Sequence, residues 1–332
     1  MTGNGPIFIG GTDRAGKTLL SALLASHPRI SVPAVGSNLW TLFYGRFGDL
    51  ADPANLERCL SEMLRYKHVR FLAHDLDRVR RDLAAGPPTY ARLFALVQEQ
   101  HAERAGKPRW GDQTGLIEGY ADAVLAAYPD AVMLHMIRDP RDRYDASLTM
   151  WPEGRLRVGG ATARWLYSAG HARRNLARHP ARYRVIRYED LVADPEAVLR
   201  KLCAFLGETY TPDMLTLRGM PTYRDKLLAG SPADAAGDPV ISTAFVGTYR
   251  GRIPPRELAF LEGRAGEPMR ALGYPPDAVP LRGADRLRYA LWDVPLNSVR
   301  LAIWHARQAA AMRFPRRAGR TPPAHHVVTD AG

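Results

Sequence analysis

Cysteine is nearly absent: Cys59 and Cys203, far apart in sequence, are the only two in 332 residues. So sparse a supply argues against a disulfide framework. No apolar run approaches the roughly 18 residues of a membrane span. The first one, Ile7-Phe8-Ile9, is too short for a signal-peptide core, and polar Thr2, Gly3, Asn4 and Gly5 precede it. A cytoplasmic protein is the expectation. Lysine is scarce too. Lys17, Lys67, Lys107, Lys201 and Lys226 are five of the 46 basic residues, so 41 are arginines. With 34 acidic residues the formal net charge is +12. Two readings fit that balance: a solvated, arginine-decorated surface, or one that handles anions. Aromatic and basic residues are nowhere concentrated together, and no nucleic-acid partner is expected.

What remains is ordinary globular material. Apolar residues make up 46% and charged ones 24%, which excludes dominant disorder. Pro6–Gly10 reads as a short buried strand running into a glycine turn, and Leu19, Leu20, Leu23 and Leu24 then recur at helical spacing until Pro28. Residues 50–105 look largely helical, with a break at Gly86-Pro87-Pro88. Leu116 to Tyr128 suggests a further helix, closed by Pro129. The near-continuous apolar run Ala131–Ile137 is the pattern of a strand covered on both faces, and Tyr183–Tyr188 is another strand candidate. Asp194-Pro195-Glu196 is a good helix start, and Gly207 a good stop. Strands alternating with helices predict an α/β fold: a parallel sheet covered by helices on both faces.

Three further boundaries follow from composition. Residues 219–248, of which 219–243 are rich in Gly, Pro, Asp and Ala, read as a loop or lid within a main domain of residues 1–275. From 276 to 320 the chain is basic and predicted helical through Leu296–Met312. That segment has three readings: a helix packed on the domain with its arginines snorkelling outward, an oligomer contact, or a weak membrane-surface helix through Leu296, Val299, Ile303 and Trp304. The tail, 321–332, is expected to be disordered.

Chemistry enters at Gly11-Thr12-Asp13-Arg14-Ala15-Gly16-Lys17-Thr18, which fits G-x-x-x-x-G-K-[ST] between an apolar strand and an amphipathic helix. Its glycines let successive N–H groups turn inward, and the helix N-terminus adds positive potential. Lys17 supplies a mobile charge and Arg14 a forked one. Phosphate or sulfate binding is the expectation. A magnesium–nucleotide enzyme would place Thr18 on the metal and an acid at the end of a second strand. Here Arg138 occupies the strand exit, in Ile137-Arg138-Asp139-Pro140-Arg141-Asp142. That position welcomes a second phosphate.

These two segments, with Arg187-Tyr188-Glu189-Asp190-Leu191, Trp110-Gly111-Asp112-Gln113-Thr114 and Leu272-Gly273-Tyr274, span residues 6–275 in order. Together they resemble the sulfotransferases that use 3′-phosphoadenosine 5′-phosphosulfate, especially the bacterial group related to tyrosylprotein sulfotransferases, a P-loop-type nucleotide-binding fold. The resemblance implies a 5′-phosphosulfate loop at Thr12, Asp13, Arg14, Ala15, Gly16, Lys17, Thr18 and Leu19. It also implies a 3′-phosphate site at Arg138, with Tyr188 near the adenosine and no metal requirement. Lys17 or Arg14 would stabilise the bridging oxygen. The acceptor would be a hydroxyl or amine of a small molecule, lipid or glycan.

Departures from the family pattern set further expectations. Ala15 and Lys17 stand where the family usually has Ser and Thr, and Gln113 replaces the lysine of W-G-E-K-T. Lys17 would take over that lysine's charge. The family's 3′-phosphate serine falls on Ala146, with Ser147 one residue, about 100°, further round a helix. The candidates for general base are His74, Asp75 and Asp112, and Asp112 reads alternatively as a helix N-cap. Two other functions compete: a P-loop kinase using Mg-ATP, and a donor-binding protein without catalysis.

Overall fold

The protein is described here from a computed structural model, which covers residues 5–73, 75–150, 157–230 and 233–315. Five strands, β1 (Ile7–Gly10), β2 (Ile30–Ser31), β3 (Arg109–Gln113), β4 (Val132–Ile137) and β5 (Tyr183–Arg187), form one sheet in the order β2-β3-β1-β4-β5. Every pairing is parallel. Parallel strands need both faces covered, and the alternation of side chains shows how this is met. Ile7, Ile9, Leu134 and Met136 face one layer, with Leu20, Leu23 and Leu199. Phe8, Met133 and Tyr183 face the other, with Leu93, Phe94 and Val124.

The first helix, α1 (Lys17–Ala25), carries the predicted leucines inward, and all four are buried. At roughly 1.5–3 kcal/mol per buried leucine, this face anchors the loop that precedes it. Helix Pro195–Leu206 starts and stops as its caps predict: Asp194 accepts from Ala197 N at 3.0 Å, and Gly207 takes φ 71°.

The structure corrects three sequence expectations. Asp112 caps no helix; it lies in β3, a strand the sequence did not announce because it carries Arg109, Asp112 and Gln113. The stretch from Leu116 divides into a 3₁₀ turn, Ile117–Tyr120, and the helix Ala121–Ala127. The 219–248 segment is not only loop, since it contains helix Pro221–Leu228 and the turn Thr243–Phe245.

Connectivity decides where a ligand goes. From β1 the chain turns towards β2, whereas from β4 it turns towards β5, so a crevice opens at the carboxyl ends of those adjacent strands. The loop 11–16 leaves one strand and Arg138 leaves the other.

Candidate active site

A cavity of about 590 Å³ occupies that crevice, lined by Arg14, Gly16, Lys17, Thr18 and Leu19 from the glycine loop, together with Arg138 and Tyr188. The two cationic segments picked out in the sequence therefore share one space. The loop owes its shape to glycine at two points. A Cβ on Gly11 (φ 117°) would lie 2.2 Å from the Met136 carbonyl oxygen, and one on Gly16 (φ 93°) would lie 2.5 Å from the Tyr188 ring. Arg14 itself adopts φ 61°, a left-handed conformation that turns its exposed side chain to the cavity mouth. Among the described residues no side chain caps α1 at Gly16, which leaves its first-turn N–H groups for an anion.

Asp13 is not among the residues that line the cavity. Its carboxylate accepts from Arg143 Nη2 at 2.8 and 2.9 Å and from Arg164 Nη1 at 2.8 Å. Burial raises its pKa, but Arg143 and Arg164 outweigh that and hold the carboxyl well below the usual carboxylate range. Arg143 also donates from Nε to the Asp13 carbonyl at 3.1 Å, so the loop is pinned at side chain and backbone alike. Underneath, the buried Glu118 accepts from Gly11 N at 2.9 Å and from Ser168 Oγ at 2.5 Å. No sequence motif marked Glu118, because its partners come from distant elements.

Lys17 donates from Nζ to the Thr12 carbonyl at 2.5 Å. A Cβ on Gly115, just beyond β3, would lie 4.0 Å from that ammonium. Lys17 thus lies beside the end of the strand that carries Gln113. Gln113 itself turns to Ser21 Oγ (3.3 Å) and the Ala34 carbonyl (3.2 Å). Burial pushes the Lys17 pKa down to about 8, although Asp13 and Glu118 oppose the shift.

Arg138 is buried, with Nη1 on the Arg14 carbonyl at 3.1 Å and Nη2 on the Phe245 carbonyl at 2.5 Å. Its guanidinium stands 4.5 Å from the centroid of the Tyr188 ring. Among the described residues its Nε is buried without a partner, a donor left over for a ligand. The neighbouring Asp139 turns back to Arg141, with 2.7 Å from Nη2 to Oδ2, and does not line the cavity.

Of the other predicted residues, Thr12 and Ala15 are buried supports of the loop. Ser147 is a correction: Ala146 lines the cavity, while the buried Ser147 hydroxyl donates to the Tyr144 carbonyl at 2.7 Å. Helical rotation takes it out of reach. Asp112 is a second correction, since it is buried outside the cavity, accepting from Ser37 Oγ at 2.6 Å and Thr114 Oγ1 at 3.2 Å. Asp75 caps helix Leu76–Ala84 by accepting from Arg78 N at 2.8 Å. His74 lies outside the described residues.

Sequence reasoning missed the opposite wall. Tyr223, Lys226 and Leu227 come from helix Pro221–Leu228, and Phe245, Thr248 and Arg252 from the stretch after it. Asp145 lies there as well, occupied by Arg252 (3.1 Å) and Thr248 Oγ1 (3.1 Å). Lys226 was the available signal, as one of only five lysines in a stretch otherwise poor in charge of its sign. Among the described residues that line it, the cations Arg14, Lys17, Arg138, Lys226 and Arg252 face a single carboxylate, that of Asp145.

Comparison with known proteins agrees with this geometry. The model of a family described as the sulfotransferase family matches residues 6–212. The structure resembles the sulfotransferase domain of the Synechococcus PCC 7002 olefin synthase, with a TM-score of 0.55 and 23% identity over 82% of this chain and 95% of that one. It also resembles the sulfotransferase domain from the curacin biosynthetic pathway, with a TM-score of 0.51 and 18% identity over 82% and 98%. No curated protein matches the chain by sequence. The two likenesses bear on the fold, whereas the family match extends over more than half of the chain. The glycine loop, the arginine at the β4 exit and the parallel sheet between them are those of a member of the sulfotransferase family, to which this chain belongs.

Proposed function

We propose that the protein binds 3′-phosphoadenosine 5′-phosphosulfate across the β1–β4 crevice and transfers its sulfuryl group to a hydroxyl or amine of a small molecule, lipid or glycan. The observation that carries this reading is the single cavity shared by Lys17 and Arg138. The residues fit such a donor: an uncapped helix N-terminus at one end, and a buried guanidinium with a spare Nε donor at the other. A bound donor supplies a neutral SO₃ unit on a phosphate leaving group. The chain's own part is positioning and charge neutralisation. Lys17 and Arg14 meet negative charge at the 5′ end, Arg138 holds the 3′-phosphate, and Tyr188, already under Arg138, flanks the nucleoside. Tyr223, Leu227 and Phe245 offer an apolar wall to the base. Of the three bases weighed in the sequence, Asp112 is enclosed and Asp75 is a cap, so His74 is the one we carry forward. A cytoplasmic site of action is proposed on the two separated cysteines.

The kinase alternative loses its support at Asp139. A metal-binding acid is needed at the end of the second strand, and this one is spent on Arg141. The test is transfer of label from the sulfur-labelled donor to a panel of phenols, sugars and alcohols. Label on an acceptor supports the reading. Donor binding with no label on any acceptor favours a binding protein, and phosphate transfer from Mg-ATP contradicts the proposal.

A further inference from the structure

The C-terminal helices carry an apolar row on their solvent side as well as apolar contacts on the body. Residues 283–313 run through the helix Gly283–Arg288, a π turn Tyr289–Asp293 and the helix Val294–Arg313, about 45 Å of rod. A surface helix normally buries its apolar stripe and shows polar residues to water. Here Tyr289, Val294 and Leu301 pack on the body beside the buried Asn297 and Gln308, and the Asn297 backbone lies so close to Gly159 that a Cβ there would be 2.4 Å away, yet a second apolar row faces water. The solvent side carries Leu287, Leu291, Trp292, Leu296, Val299 and Ile303, of which Leu291 is 68% and Trp292 71% exposed. An apolar row of this length on a protein surface marks a contact.

Charge identifies what it contacts. The two acids of the rod, Asp285 and Asp293, are turned to Arg256 of the body, at 3.8 and 3.1 Å. Among the described residues, Arg282, Arg286, Arg288, Arg307 and Arg313 have no carboxylate within ion-pair distance. Self-association about a two-fold axis would set this arginine-bearing face against itself. An anionic bilayer reverses that sign: acyl and headgroup regions accept the aliphatic row, lipid phosphates meet the arginines, and tryptophan suits the interface. No helix among the described residues is long and apolar enough to cross a membrane, so the contact is lateral.

We propose that the outward face of residues 283–313 docks on an anionic lipid bilayer. The inference stands apart from the sulfuryl-transfer reading, since none of these residues lines the cavity.

Flotation of the full-length protein with phosphatidylcholine vesicles, with and without phosphatidylglycerol, tests it. The protein floats with the anionic vesicles, remains behind with the neutral ones, and is released by salt. Joint replacement Arg286→Gln, Arg288→Gln and Arg307→Gln lowers the partition coefficient roughly a hundredfold, about fivefold per arginine. Joint replacement Leu291→Asn, Val299→Asn and Ile303→Asn abolishes flotation while far-ultraviolet circular dichroism stays unchanged. The proposal is overturned by absence of flotation, by equal flotation on neutral vesicles, or by flotation that both variants retain. It is equally overturned by a concentration-dependent dimer that the asparagine variant dissolves while wild type ignores vesicles.

Discussion

Arg138 Nη1 donates to the backbone carbonyl of Arg14 across 3.1 Å, joining the residue that leaves β4 to the residue at the turn of the glycine loop. These positions are 124 residues apart in the chain. Their contact brings the two cationic segments together at one cavity. Arg14, whose carbonyl accepts that bond, sits at φ 61°. A loop residue in a left-handed conformation is thus a direct partner of a buried guanidinium.

Asp13 is the counterweight that allows so many cations to assemble. Asp13→Asn strands the buried Arg143 and is expected to cost about 3 kcal/mol of stability in urea unfolding. Its folded pKa lies below that of the unfolded chain, so its contribution is complete above about pH 4. That contribution drains away as pH falls through the lower folded value. Wild type should therefore lose more stability than Asp13→Asn on acidification below pH 4. Equal acid slopes would refute this role.

Lys17 predicts an alkaline limb. Its ammonium, depressed to about 8, loses its proton above that pH, and with it the charge aimed at the leaving group. In wild type, kcat/KM should fall above about pH 8, approaching tenfold per pH unit. Lys17→Arg, whose guanidinium does not titrate in that range, should lack the limb. Lys17→Met should be slow at every pH. A limb that persists in Lys17→Arg would assign the titration to another group.

Asp112 and Ser147 serve as controls. Asp112→Asn keeps the hydrogen bonds to Ser37 possible, so turnover should stay within about threefold; loss of a general base would cost roughly 10²–10⁴-fold. Ser147→Ala removes a hydroxyl that bonds the Tyr144 carbonyl, and affinity for 3′,5′-ADP should change less than about twofold by calorimetry. A large kinetic loss in the first, or a large affinity loss in the second, would return that residue to the site.

The legible parts of the sequence were those whose partners are near in the chain. β1 with its glycine loop, the apolar β4 and the capped helix Pro195–Leu206 each carry their own local signal. β3 was not legible, because its polar residues are satisfied from far away: Asp112 by Ser37, and Arg109 by Glu208 at 3.2 Å. The wall formed by Tyr223, Lys226 and Arg252 had the same difficulty, since a loop-like composition conceals a helix that faces the cavity only in the folded chain. At Ser147 the right residue type was one position out of phase, and at Asp112 a matched motif carried a buried structural acid.

The most direct test of the central claim is calorimetric titration with 3′,5′-ADP and with Mg-ATP, on wild type and on Arg138→Ala. Two anion grips on one nucleotide predict that wild type binds 3′,5′-ADP without metal and prefers it to 5′-AMP. Arg138→Ala should erase that preference, a loss of about 1.5–3 kcal/mol for a charge-assisted contact. Preference for Mg-ATP, or a 3′-phosphate preference untouched by removing Arg138, would contradict the account.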